Sequence, residues 1–82
     1  MKYVLKPHAK WRLQERSIPE SVLHEALENP TWLGYDDKGR LLVKKLYKKT
    51  GRERMLLIAG EIIDNTLEII TVIDTSKVKK YL

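Results

Sequence analysis

The chain has 82 residues, enough for one domain and too few for a second core. It has no cysteine, which excludes disulfides, thiolate zinc sites and a cysteine nucleophile and points to a reducing compartment such as the cytoplasm. A composition of 43% hydrophobic and 33% charged residues suits a folded chain; no apolar run reaches the roughly 18 residues of a membrane span, and the charged start MKYVLKPHAKWR is unlike a signal peptide.

The net charge of +5 is laid out unevenly. Residues 1–39 carry six basic and six acidic side chains, whereas Arg40 to Arg54 carry seven cations against Glu53 alone. Residues 55–75 hold four acids and no base, and the tail adds Lys77, Lys79 and Lys80. Basic blocks of this kind suit a polyanion, nucleic acid before membrane, or an acidic protein partner.

In chain order, Lys2 to Leu5 predicts a short strand. Pro7 then opens a helix to about Arg16, because a first-turn proline gives up an N–H that has no helical partner. Ser17-Ile18-Pro19 breaks it, and the spacing of Val22, Leu23, Ala26 and Leu27 predicts a second helix from Glu20 to Glu28, ended by Asn29-Pro30, so that the two helices form a tight hairpin. The remainder reads as a meander: Thr31 to Tyr35, Arg40 to Lys49, Arg52 to Ile63 and Thr66 to Asp74, with turns at residues 36–39, 50–51 and 64–65. The expected fold is α+β, a helical hairpin on a curled antiparallel sheet of about four strands, followed by a basic tail with room for one helical turn.

Pairing Lys49 with Arg52 across the first tight turn puts Tyr47 opposite Arg54, Lys45 opposite Leu56 and Val43 opposite Ile58. Pairing Ile63 with Thr66 then puts Thr75 beside Arg54 and Ile73 beside Leu56, gathering Lys45, Tyr47, Arg54 and Thr75 at one end of one face. The same register sets Glu61 against Glu68, which counts against it. The opposite face carries Leu46, Met55, Leu57, Ala59, Ile70 and Val72, so both faces are apolar and the helices cover only one; a partner or the tail must cover the other.

His8, Arg12 and Arg16 recur every four residues and so share one helical stripe; an imidazole beside two guanidinium groups suits proton transfer next to a phosphate, but the residues alone favour a surface helix whose arginines pair with Glu15, Asp36 or Asp37. Tyr47 and Tyr81 lie within basic blocks, where rings can stack bases while Lys44, Lys45, Lys48 and Arg52 hold phosphates. Trp11 and Trp32 read as core or core rim, and His24 as an exposed histidine. No histidine and carboxylate set has metal spacing, and there is no glycine-rich phosphate loop or hydrolase serine elbow, so no metal or cofactor is expected.

The segment HAKWRLQERSIP fits H-A-x-x-R-x-x-E-R-x-I, the next helix ends in N-P, and the chain closes with VIDTSKVKKYL, a T-x-K-x-x-K-Y pattern. With these motifs the chain resembles a small prokaryotic domain family of unknown function related to the RelE/ParE toxins, within the barnase/EndoU/colicin/RelE nuclease superfamily. The resemblance implies metal-independent endoribonuclease chemistry with His8, Arg12, a basic strand residue and Thr75, Lys77 or Tyr81 near the site; joined to the residues themselves, the expectation is His8 as general acid or base, Arg12 and Arg54 on the phosphate and Tyr81 in the catalytic set, while Lys44, Lys45, Tyr47, Lys48, Arg52, Thr75, Lys77 and Lys80 bind RNA. It implies RNA, free or on the ribosome, and a small acidic antitoxin as partners. The family's central-strand set is matched in residue type by Lys44, Lys45, Arg54 and Tyr81, with no acidic residue placed beside them. The alternative is a non-catalytic module that binds an antitoxin, inhibits gyrase as ParE-like members do, or dimerises through the free sheet face.

Overall fold

The structure, a computed structural model, describes residues 2–81. Eight elements follow in order: β1 (Tyr3–Leu5), α1 (Pro7–Glu15), α2 (Glu20–Glu28), β2 (Trp32–Tyr35), β3 (Leu41–Lys49), β4 (Arg52–Ile63), β5 (Thr66–Thr75) and α3 (Val78–Tyr81). The α+β class stands. The sheet has five strands rather than about four, in the order β1-β5-β4-β3-β2, and it is mixed because β1 runs parallel to β5. Parallel neighbours need a long crossover, and here the helices and the meander together supply it.

α1 begins at Pro7 and ends in a Schellman motif. Ser17 turns left-handed at φ 52°, its N–H donates to the Gln14 carbonyl, and the Ile18 N–H reaches back to the Leu13 carbonyl. Ile18 is buried with Leu13, the hydrophobic contact that accompanies this cap. α1 lies chiefly on β5 and α2 on β3, so the helices are held by the sheet more than by each other, looser than the tight hairpin expected. Ala9, Leu13, Ile18, Leu23, Ala26 and Leu27 meet Val43, Leu56, Ile58, Leu67, Ile69 and Val72 in one core beneath them.

The β3–β4 register is as anticipated, from Lys49 opposite Arg52 to Val43 opposite Ile58. The β4–β5 register starts as anticipated at Ile63 opposite Thr66 and keeps Glu61 opposite Glu68, each acid turning to its own cation: Glu68 to Lys6 at 3.2 Å and Glu61 to Arg40 at 4.0 Å. A β-bulge then intervenes. Gly60 faces Ile69 but Ala59 faces Thr71, so beyond that point Leu56 faces Asp74 and Met55 faces Thr75. A Cβ on Gly60 would sit 2.5 Å from the Glu68 carbonyl oxygen, which is why this buried position takes no side chain. The slip moves Val72 to the helix face and Thr75 to the far face, reversing both sequence assignments.

The chain's own tail lies on the far face and covers part of it. Met55 is fully buried there and Leu57 nearly so, with α3 packed against β4. Thr75 Oγ1 accepts the Lys77 N–H and turns the chain into α3. Among the described residues, no helix is long and apolar enough to cross a membrane.

Candidate nucleic-acid interface

Because β3 and β4 alternate sides, Lys45, Tyr47 and Lys49 share the helix face with Arg52 and Arg54, and the bulge brings Asp74 to the same place. The three central residues lock together. Asp74 Oδ1 accepts from the Tyr47 hydroxyl, and Arg54 donates from Nε to both carboxylate oxygens at 3.0 and 3.1 Å and from its terminal nitrogen to Oδ2 at 2.9 Å. The Asp74 side chain is only 4% exposed. Its burial pushes the carboxyl pKa up, but the Arg54 guanidinium and the Tyr47 hydroxyl outweigh burial and hold it below the usual range. Burial first, and then the Asp74 carboxylate, pushes the Tyr47 phenol up to about 12.

In front of this cluster lies a cleft of about 410 Å³, lined by Glu15 and Arg16 from the end of α1, Lys49 and Thr50 from the β3–β4 turn, and Arg52, Arg54 and Asp74. The Thr50-Gly51 turn has positive φ at both central residues, the twist that suits a two-residue hairpin, and it points Lys49 and Arg52 to one side. Lys49 Nζ donates to the Arg16 carbonyl at 3.2 Å, tying the hairpin to the helix end. Four cations therefore face two acids, and one of those acids is already neutralised by Arg54.

The remaining candidate residues scatter. Lys45 is consumed by the fold, its Nζ donating to the Asn29 carbonyl at 2.7 Å and lying 3.7 Å from Glu25, where it caps the end of α2. The Tyr47 ring is partly buried and packs against the core. Lys44 projects to the far face, donating to the Tyr81 carbonyl at 2.6 Å and standing 4.6 Å from the centre of the Trp32 ring. Tyr81 lines a groove with Leu57 and Ile73 on that face, with Lys77 and Lys80 beside it on the tail, so it does not join Arg54. Lys48 is paired opposite Glu53 on the far side of the hairpin, and Thr75 is across the sheet from its expected neighbour.

His8 is exposed and stacks on Trp11 with ring centres 6.1 Å apart. It lies eight residues before Arg16, about 12 Å along the helix axis, and is not among the residues that line the cleft. Arg12 is half-buried, and its Nε is enclosed without a hydrogen-bond partner. Both tryptophans, expected at the core or its rim, are instead substantially exposed. Trp32 lies flat over Gly34, where a Cβ would come within 2.4 Å of its ring.

Asp74 is the residue that sequence reasoning missed. The usable signal was Gly60 inside a strand, which marks a bulge; one extra residue in β5 is enough to replace Thr75 by Asp74 beside Arg54. No family model, curated protein or solved structure matches the chain.

Proposed function

We propose that this chain is a cytoplasmic RNA-binding protein of the RelE-like toxin type, taking the phosphate backbone into the cleft between the end of α1 and the β3–β4 turn. The observation that carries the reading is the convergence of Arg16, Lys49 and Arg52 from two separate elements around Arg54, whose own countercharge is held behind it by Asp74. Arginine forks suit phosphate oxygens, and a carboxylate already engaged by Arg54 repels them less than a free one. The test is a titration of single-stranded RNA at several salt concentrations. With Arg16, Lys49 and Arg52 neutralising phosphates, the slope of log K against log[salt] is about −2, and the double variant Lys49→Ala/Arg52→Ala flattens it by about 1.4. An unchanged slope removes the reading.

A second reading, metal-independent cutting of the bound RNA, is favoured by the Tyr47 phenol. Its hydroxyl stands beside Arg54, a proton-bearing group next to a phosphate holder, with its proton donated to Asp74. Both Asp74 oxygens are engaged, so the cluster lacks a free base, and binding is the better supported function. Incubation with RNA in EDTA decides: cleavage lost in Tyr47→Phe supports cutting, and an intact substrate leaves binding alone.

A further inference from the structure

The outward face of α1 carries a stripe that runs down to the cleft. His8, Trp11, Arg12, Glu15 and Arg16 follow one another at intervals of three and four, the spacing that makes helical side chains neighbours. Glu15 and Arg16 line the cleft, and Trp11 stands one turn before Glu15, about 6 Å along the axis. The buried residues of the helix, Ala9 and Leu13, lie on its other side, so the indole is not part of the core. Trp11 is 52% exposed, and His8, itself exposed, stacks on it. The other exposed tryptophan serves the fold: Trp32 roofs Gly34 and takes the Lys44 ammonium on its ring. Trp11 has no such contacts; among the described residues its ring contact is with His8.

The geometry points to Trp11, with His8 beside it, as a stacking platform for a nucleobase next to the phosphate cleft. The inference rests on the RNA-binding reading of that cleft and adds the class of RNA: single-stranded, since a duplex keeps its base faces stacked on one another. A phosphate held by Arg16 puts the adjoining nucleotide within about one helical turn of the indole. The stripe itself argues for a base over a protein side chain. Its members are aromatic or charged, with no aliphatic residue among them, so it offers a π-face bordered by guanidinium groups and not the contiguous apolar patch that a protein partner buries. Glu15 is the one acid of the stripe, and it lies 3.8 Å from the Arg16 guanidinium, which offsets its repulsion of phosphate.

The test uses the Trp32→Phe variant, checked for folding by circular dichroism, in which Trp11 is the one tryptophan left. It is titrated with a single-stranded RNA of about eight nucleotides, inside the usual range of single-strand sites. Trp11 fluorescence is expected to fall as RNA binds, because a stacked base quenches it, and the ring is expected to become less accessible to acrylamide. In the wild-type background Trp11→Ala should weaken binding about tenfold with the salt slope unchanged, and Trp11→Phe should keep most of the affinity. An abasic oligonucleotide of the same length should bind Trp11→Ala and wild type alike. RNA bound with Trp11 fluorescence unmoved, or Trp11→Ala binding as tightly as wild type, overturns the platform and leaves the cleft. Quenching with a salt slope indifferent to Lys49→Ala/Arg52→Ala overturns the cleft alone, and RNA that does not bind overturns both.

Discussion

The two faces of the sheet are closed by unequal means. On one, two nine-residue helices bury a continuous aliphatic core, and the leftover polar residues gather at its end as Tyr47, Asp74 and Arg54. On the other, a single four-residue turn places Tyr81 at a groove it shares with Leu57 and Ile73 and is tied down by Lys44. Basic residues are plentiful on both, but what they do differs. Lys44 on the far face and Lys45 on the near face are taken up by backbone carbonyls away from the cleft, while Lys49, itself on the Arg16 carbonyl, borders the open cleft with Arg52 and Arg16. A count of cations in a sequence therefore overstates the binding surface, because the fold spends some of them on closing itself.

The contrast is broken most severely in the core. Ile58→Ala, a fully buried residue under the helices, is expected to cost about 3 kcal/mol, whereas Ile73→Ala, 40% exposed on the far face, costs under about 1 kcal/mol; urea unfolding of both measures the gap. Asp74→Ala leaves the Tyr47 hydroxyl and the Arg54 guanidinium without their shared acceptor, an expected loss of about 2 kcal/mol in the same assay. Lys44→Met removes the tie between β3 and the tail and the contact with Trp32, costing about 1 kcal/mol and increasing Trp32 quenching by acrylamide.

Titration sharpens the near-face account further. The folded pKa of Asp74 lies below its unfolded value, so its contribution is present above about pH 4 and is lost as pH falls through the folded value; acid unfolding of Asp74→Asn should lack that component. Tyr47 behaves oppositely. Its folded pKa of about 12 exceeds the ordinary value, so its stabilisation is whole below about pH 10 and is lost as pH rises toward 12. An ultraviolet phenolate titration should show two tyrosines later than the ordinary value, Tyr3 and Tyr47, and Tyr47→Phe should remove the component near 12.

Much of the fold was legible in the sequence because its signals are local. Pro7 and Asn29-Pro30 mark helix limits, and the turns at Thr50-Gly51 and Asp64-Asn65 set both hairpins. The partnership of β1 with β5 was not legible, since three residues paired across more than sixty positions leave no periodicity to read. The site was legible in part. Tyr47 opposite Arg54 follows from turn geometry, but Asp74 depends on a single bulged residue, and a one-residue slip exchanges the faces of everything beyond it. Tyr81 and Lys44 were misplaced for a different reason: where a tail folds back is decided by the uncovered apolar face it finds, here the one carrying Met55 and Leu57.

The central claim, that the near-face cleft is the RNA-binding surface, is tested most directly by charge reversal matched in number. RNA affinity is measured for Arg16→Glu/Lys49→Glu/Arg52→Glu and for Lys77→Glu/Lys79→Glu/Lys80→Glu, both checked for folding. The account predicts a loss of about 100-fold or more for the cleft variant and a several-fold loss for the tail variant, as equal charge changes at unequal contact would give. Equal losses, or a greater loss from the tail, would contradict it.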